Sequence, residues 1–201
     1  MLNLFLKLNS EIFDKNTIKE SMREGFGNGL VIAGEKNKNV VALCADLTDS
    51  LKMNLFKNRF PERFIEVGIA EQNLATVASG LAACGKIPFI GSFAVFSPGR
   101  NWEQIRTSIC YNNVPVKIVG SHAGLNVGPD GATHQALEDI ALMRVLPNMI
   151  VEVPCDYFEA MKATVAIAEN KKPSYLRLER ENSAVITSVF SPFEIGEAYT
   201  I

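Results

Sequence analysis

Apolar residues in this chain fall into short continuous runs separated by longer amphipathic stretches. The first clear run, Asn39-Val40-Val41-Ala42-Leu43-Cys44-Ala45, ends in Asp46, and others lie at 87–93, 114–120, 149–153 and 175–178. Runs of this kind fit strands covered on both faces, as in a parallel sheet. Phe64-Ile65-Glu66-Val67 alternates enough to read as one more strand. Between the runs the spacing turns helical. Leu74, Val77, Ala78 and Leu81 fall at i, i+3, i+4 and i+7, and Gly85 suits the position just past a helix end. The other face of that segment is Ala, Ser and Gly, which predicts a helix buried all round. Further helices are predicted at 100–111, 135–145 and 156–170. Another is predicted from Thr17 to Gly34, where Ile18, Met22, Phe26 and Leu30 recur four apart. Gly25, Gly27 and Gly29 either weaken this last helix or let another backbone approach it closely.

Strands alternating with helices imply right-handed crossovers. The predicted fold is therefore α/β, with a largely parallel sheet and helices on both faces. Residues 1–16 show no period and read as an N-terminal arm, residues 17–190 as one domain, and residues 191–201 as a linker or the start of a C-terminal domain. Phe193 to Ile201 has the look of a strand beginning.

Bulk composition narrows the class without naming a function. A net charge of -2 over 201 residues gives no reason to invoke nucleic acid, and the apolar opening Met1-Leu2-Asn3-Leu4-Phe5-Leu6 is too short to span a membrane. Cys44, Cys84, Cys110 and Cys155 are widely spaced in apolar runs with no Cys-x-x-Cys, as expected of reduced core thiols in a cytoplasmic protein.

In open α/β sheets ligands bind at the carboxyl ends of the strands. Those ends carry Asp46, the Glu71 junction, Phe93 with Phe96, His122 and Arg180. Glu71 opens the helix after the 64–67 strand; as a first-turn carboxylate it can be a dipole partner or a catalyst. The two histidines bracket one loop, His122 to His134, with Asp130 between them. Three ligands in one loop with no other anchor make a poor metal site, so no metal ligand is assigned. A polar pocket that bonds a hydroxylated substrate and shuttles protons is the alternative, beside two ordinary loop histidines. Phe93 and Phe96 are core residues or a wall for a flat heteroaromatic ring. Arg23, Arg100, Arg106, Arg177 and Arg180 are anion-binding candidates, and Ser50 can donate to a phosphate.

Four segments taken together resemble the transketolase family. They are Ala45-Asp46-Leu47-Thr48, Val67-Gly68-Ile69-Ala70-Glu71-Gln72-Asn73, Gly91-Ser92-Phe93-Ala94-Val95-Phe96 and Gly128-Pro129-Asp130-Gly131-Ala132-Thr133-His134-Gln135. The resemblance is to the pyrimidine-binding domain of the thiamine-diphosphate-binding fold, and above all to the separate C-terminal-section subunit of split transketolases. It implies transfer of a two-carbon ketol unit between sugar phosphates, with thiamine diphosphate bound between two domains. It places Glu71 on the aminopyrimidine as a neutral donor, which needs an apolar setting. Phe93 and Phe96 become ring-stacking residues, with Asp46 near the cofactor. His122 and His134 become catalytic and substrate histidines, Asp130 a hydroxyl ligand, and Arg23, Ser50 and Arg180 phosphate ligands. A third aromatic of the family is Gly99 here, and the acidic residue that often precedes the aspartate is Pro129. The family's Gly-Asp-Gly segment for Mg²⁺ is missing, so the Mg²⁺ ligands are expected on a partner diphosphate-binding subunit, in a homo-oligomer or heterotetramer. Related readings are a deoxyxylulose-phosphate synthase, a ketoacid dehydrogenase β-subunit, or a non-catalytic assembly subunit that keeps the fold.

Overall fold

The computed structural model describes residues 4–200. Of the segments expected at the two ends, residues 1–3 and Ile201 lie outside the described residues. The chain order is β1 (Lys19–Glu20), α1 (Met22–Lys36), β2 (Val40–Cys44), α2 (Asn54–Arg59), β3 (Phe64–Glu66), α3 (Glu71–Ala83) and β4 (Ile87–Phe93). There follow α4 (Trp102–Gln104) with a π-helical turn (Ile105–Cys110), β5 (Lys117–Ser121), α5 (Asp139–Arg144), β6 (Ile150–Glu152), α6 (Tyr157–Glu169), β7 (Ser174–Arg177) and β8 (Ser183–Ala184).

Six of these strands form one sheet in the order β3-β2-β4-β5-β7-β6, and every pairing is parallel. Alternation along the buried strands splits the core in two. Val40, Ala42, Cys44, Phe89, Val119 and Leu176 face α1, α2 and α6, against Phe26, Leu30, Phe56 and Ala163. Val41, Leu43, Ile90, Ile118 and Tyr175 face the other layer, against Leu74, Ala78, Ile105, Ile109 and Met143. Period 2 in the strands thus meets helices on both faces, as the runs predicted.

Several boundaries move for identifiable reasons. The first helix starts at Met22, because Lys19 and Glu20 pair antiparallel with Ala184 and Ser183. It runs on through Gly34 to Lys36, and its glycines are sites of close approach. A Cβ on Gly25 would strike the Tyr157 carbonyl, and one on Gly29 would lie 2.7 Å from the Met161 carbonyl oxygen. The predicted 100–111 helix is one α-turn and then a π-turn, with Tyr111 N bonded to Arg106 O at 3.0 Å. Ser79 Oγ donates to Ser108 O at 2.6 Å beside it. Helix α2 was not anticipated; Phe56 anchors it at 0% exposure. The predicted 135–145 helix shortens to Asp139–Arg144, after two 3₁₀ turns at Gly128–Asp130 and Ala132–His134. Helix α3 is not buried all round: Gln72, Asn73, Thr76, Gly80 and Ala83 are exposed. The expected strand after Phe193 does not form among the described residues; Phe193 and Ile195 pack on the α1/α6 core instead. Cys44 and Cys110 are core thiols, but Cys84 and Cys155 are exposed, and all four are free.

Lys117 begins β5 at 0% exposure. Its Nζ donates to Asn170 O at 2.7 Å and Lys172 O at 2.6 Å, and burial pulls its pKa down to about 7. A neutral amine has two N–H donors for these two carbonyls. A lysine whose folded pKa lies below its unfolded value binds fewer protons in the folded state. Its contribution to stability is therefore full above about 10.5 and declines as pH falls toward about 7. Urea unfolding of the chain between pH 6 and 10 is expected to show this rise with pH, and Lys117→Met is expected to flatten it.

Candidate functional site

Because all six sheet strands point the same way, their carboxyl ends share one edge. The chain passes from β2 outward to β3 and then back across to β4, so a crevice opens between the ends of β2 and β4, as at the switch points of doubly wound sheets. Asp46 follows one of these strands and Phe93 ends the other.

Glu71 is the first residue of α3 and is 5% exposed. Its setting is not wholly apolar. Arg100 Nη1 lies 3.3 Å from Oε1 and 3.5 Å from Oε2. The guanidinium carbon also sits 4.2 Å from the Phe96 ring centroid. Asn101, fully buried, donates Nδ2 to Glu71 O at 2.9 Å and to Ser97 Oγ at 3.1 Å. One asparagine therefore fixes the Glu71 peptide to the turn that carries Phe96.

Phe93 and Phe96 stack at 6.1 Å with their planes 15° apart. They are not equivalent. Phe93 is 8% exposed, and His122 covers one face at 3.8 Å between ring centroids. Phe96 is half-buried, with His134 edge-on at 5.4 Å. Phe96 is thus the presented ring and Phe93 its backing.

His122 is buried, with a left-handed backbone and Nδ1 2.7 Å from Ser121 Oγ. Burial first, then the charges of Arg23 and Arg180, lower its pKa to about 4, while Asp130 pulls weakly the other way. His134 Nδ1 lies 2.9 Å from Thr133 Oγ1. The two imidazoles meet around Phe93, each with its own hydroxyl neighbour. Among the described residues no group of three His, Cys, Asp or Glu side chains is placed to hold a metal ion.

Arg23 joins the expected anion ligands by an unexpected route. Its Nη1 donates to Ser50 O at 2.7 Å and its Nη2 to Arg180 O at 2.9 Å, while Nε is buried without a partner. It acts as a strut between the two loops that hold the other candidates. Arg180 pairs with Glu181, and its guanidinium lies against Gly128 of the histidine loop. Arg177 is committed elsewhere. Its Nε donates to the buried Asp139 at 3.1 Å, which also accepts from Tyr175 OH at 2.8 Å. Two residues at the site escaped the sequence reading: Asn101, and Glu66, whose carboxylate bonds the Asp46 loop. No spacing signal marks either, since their partners are set by the fold.

A six-stranded parallel sheet with a buried carboxylate, a presented phenylalanine and a histidine loop at one edge defines an α/β ligand-binding domain. The match to the family described as "Transketolase, pyrimidine binding domain" covers residues 19–185, and the chain belongs to that family. A putative transketolase C-terminal section of Methanocaldococcus jannaschii is 46% identical over 90% of this chain and 58% of its own length. A 6-deoxy-6-sulfo-D-fructose transketolase subunit of a Clostridium species is 37% identical over 88% of this chain and 55% of its own. A split-gene transketolase, solved as an inactive β4 tetramer, superposes with a TM-score of 0.74 at 48% identity, over 87% of this chain and 55% of its own. The chain thus spans somewhat over half the length of these relatives. Among the described residues no helix is long and apolar enough to cross a membrane.

With a folded pKa near 4, His122 is neutral through the physiological range. The unfolded chain binds this proton with an ordinary histidine pKa of about 6.5. His122 therefore costs stability progressively as pH falls from about 6.5 to about 4. Proton NMR of a His134→Gln variant, which leaves one imidazole, is expected to show no titration of the ring between pH 5.5 and 8.

Proposed function

We propose that this chain is the pyrimidine-binding half of a thiamine-diphosphate-dependent transketolase. In this reading it transfers a two-carbon ketol unit between sugar phosphates and works with a partner subunit that holds the diphosphate and Mg²⁺. The observation that carries the reading is the Arg100 guanidinium, a planar N–C–N group lying over Phe96 at 4.2 Å and against Glu71 at 3.3 Å. An aminopyrimidine offers the same flat face to Phe96, and its ring nitrogen meets Glu71 with the hydrogen bond reversed, the carboxyl donating where it accepts from Arg100, so the residues fit the pyrimidine half of the cofactor. The ring competes with Arg100 for both partners, and Arg100, with its side chain 54% exposed, can turn to solvent.

Glu71 would hold the ring nitrogen and Phe96 the ring face, with Phe93 behind it and Asp46 at the neighbouring strand end. Thiamine diphosphate, when bound, supplies the electron sink for the two-carbon fragment. The chain supplies everything else on this side. Glu71 keeps a proton at its carboxyl oxygen toward the ring once Arg100 has turned away. His122, neutral and buried, and His134 serve sugar hydroxyls and move protons there, with Asp130 accepting from a further hydroxyl. Arg180 and Ser50, braced by Arg23, take the substrate phosphate. The reading carries with it a cytoplasmic setting, which free thiols at all four cysteines suit, and chemistry of the pentose phosphate kind.

The need for a partner is supported by the split-gene relative observed as an inactive β4 tetramer. The expected assembly is a heterotetramer in which the 17–190 domain meets the diphosphate-binding subunit. Two experiments test the reading. In the reconstituted two-subunit enzyme, Glu71→Gln is expected to lower kcat at least ~100-fold, the usual scale of a lost proton-transfer group; an unchanged rate would remove Glu71 from the chemistry. Calorimetry of this chain alone with thiamine diphosphate and Mg²⁺ is expected to give a Kd weaker than about 100 μM. Sub-micromolar binding without a partner would show that the site is not shared.

A further inference from the structure

Glu66 is the last residue of β3, at the edge of the sheet, and its side chain is exposed. An exposed carboxylate ordinarily points into water. This one turns back across the strand ends and takes three hydrogen bonds. Oε1 accepts from Asp46 N at 2.7 Å and from Gly68 N at 3.1 Å, and Oε2 accepts from Thr48 Oγ1 at 3.0 Å. Both backbone donors belong to residues with a left-handed backbone. Asp46 has φ 59° and Gly68 has φ 71°. A side chain on an L-residue disfavours that conformation, though less for Asp than for most, and the bond to its N–H helps to hold Asp46 there. At Gly68 nothing lies within 4 Å of where a Cβ would sit, so the backbone angle alone calls for glycine there.

These two turns have different destinations. The Asp46 turn leads from β2 into the loop that carries Ser50, and the Gly68 turn delivers Glu71 to the start of α3. The strands alone do not set their relation beyond the ladder, which ends with Cys44 opposite Glu66 and with Val67 N bonded to Cys44 O at 3.0 Å. Past that point the Glu66 carboxylate carries the connection. We propose that Glu66 is a positioning residue that clips the Asp46 loop to the Glu71 turn and so fixes the two cofactor-facing loops relative to each other. The proposal rests on the pyrimidine-binding reading of this site.

Acceptor geometry, not charge, is what the clip requires. In Glu66→Gln the amide oxygen still accepts from Asp46 N and Gly68 N, and the amide nitrogen donates to Thr48 Oγ1, whose hydroxyl turns to accept. Glu66→Ala removes all three bonds. In the reconstituted enzyme, Glu66→Ala is expected to raise the KM for thiamine diphosphate about tenfold with kcat at saturating cofactor within threefold of the parent, and Glu66→Gln to restore the parental KM. Amide hydrogen exchange in this chain without cofactor supplies the second readout. Asp46 N–H and Gly68 N–H are expected to be protected in the parent and in Glu66→Gln and to exchange at least tenfold faster in Glu66→Ala. If Glu66→Ala does not fold, the parent's own protection at these two amides, together with a parental KM in Glu66→Gln, carries the test. Unprotected amides in the parent, a parental KM in Glu66→Ala, or a Glu66→Gln as impaired as Glu66→Ala each overturn the proposal. Glu71→Gln measured alongside separates the two levels. If it abolishes transfer while Glu66→Ala changes nothing, the positioning role alone fails; if it too leaves transfer unchanged, the site reading fails and the positioning role with it.

Discussion

Burying the Glu71 carboxylate to 5% exposure strips away most of its water, and something must take the place of that hydration. Two contacts from one short stretch do so: Arg100 reaches the side chain from the solvent side, and Asn101 holds the peptide from within. Both follow directly from the turn that presents Phe96. The carboxylate and the aromatic face are therefore held as one unit, although Glu71 and Phe96 lie 25 positions apart in sequence. The other side chains at the edge are arranged around that unit: Phe93 backs Phe96, His122 backs Phe93, and the histidine loop closes over the arginines.

The parallel sheet makes such an assembly possible by giving the domain two unlike poles. At the amino end of β5, the buried Lys117 is satisfied by the protein itself, where it meets the Asn170 and Lys172 carbonyls. At the carboxyl ends satisfaction is partial. Arg23 keeps a buried Nε without a partner, Asn101 an unpaired Oδ1 and Ser92 an unpaired Oγ. Buried polar groups are nearly always paired in folded proteins, so these are positions that the protein's own groups leave incomplete.

How much of this could be read from the residues depended on the range of the interaction. Continuous apolar runs revealed the buried strands, and the i, i+3, i+4 spacing with Gly85 placed α3 with Glu71 at its start, because both signals are local. The strand-end rule then gathered Asp46, Glu71, Phe93, Phe96, His122 and Arg180 at one edge without any long-range information. What stayed hidden was set by partners distant in sequence. Glu66 is a plain strand residue until Asp46, 20 positions away, bonds to it. The start of α1 is decided by β8, and Arg177 is taken out of the anion-binding set by Asp139. Among five candidate arginines, nothing local separated Arg100, which meets Glu71, from Arg23, which became a strut. The exposed Cys84 and Cys155 escaped for a related reason: an apolar run reports average burial, not the side from which each residue faces out.

Electrostatics at the histidine loop ties Arg23 and Arg180 to the imidazole. Arg23 and Arg180 both push the His122 pKa down, so in the proposed reading an anion held near them would relieve part of that pressure. The relief is bounded, because burial is the larger cause and an anion does not undo it. His122 therefore stays a neutral hydrogen-bonding group with or without a phosphate nearby, free to accept or donate at the nitrogen that Ser121 does not occupy. A protonated imidazole in the same place would be repelled by the two guanidinium groups. Burial, to which the Phe93 ring stacked on the imidazole contributes, is the larger cause that favours the neutral form.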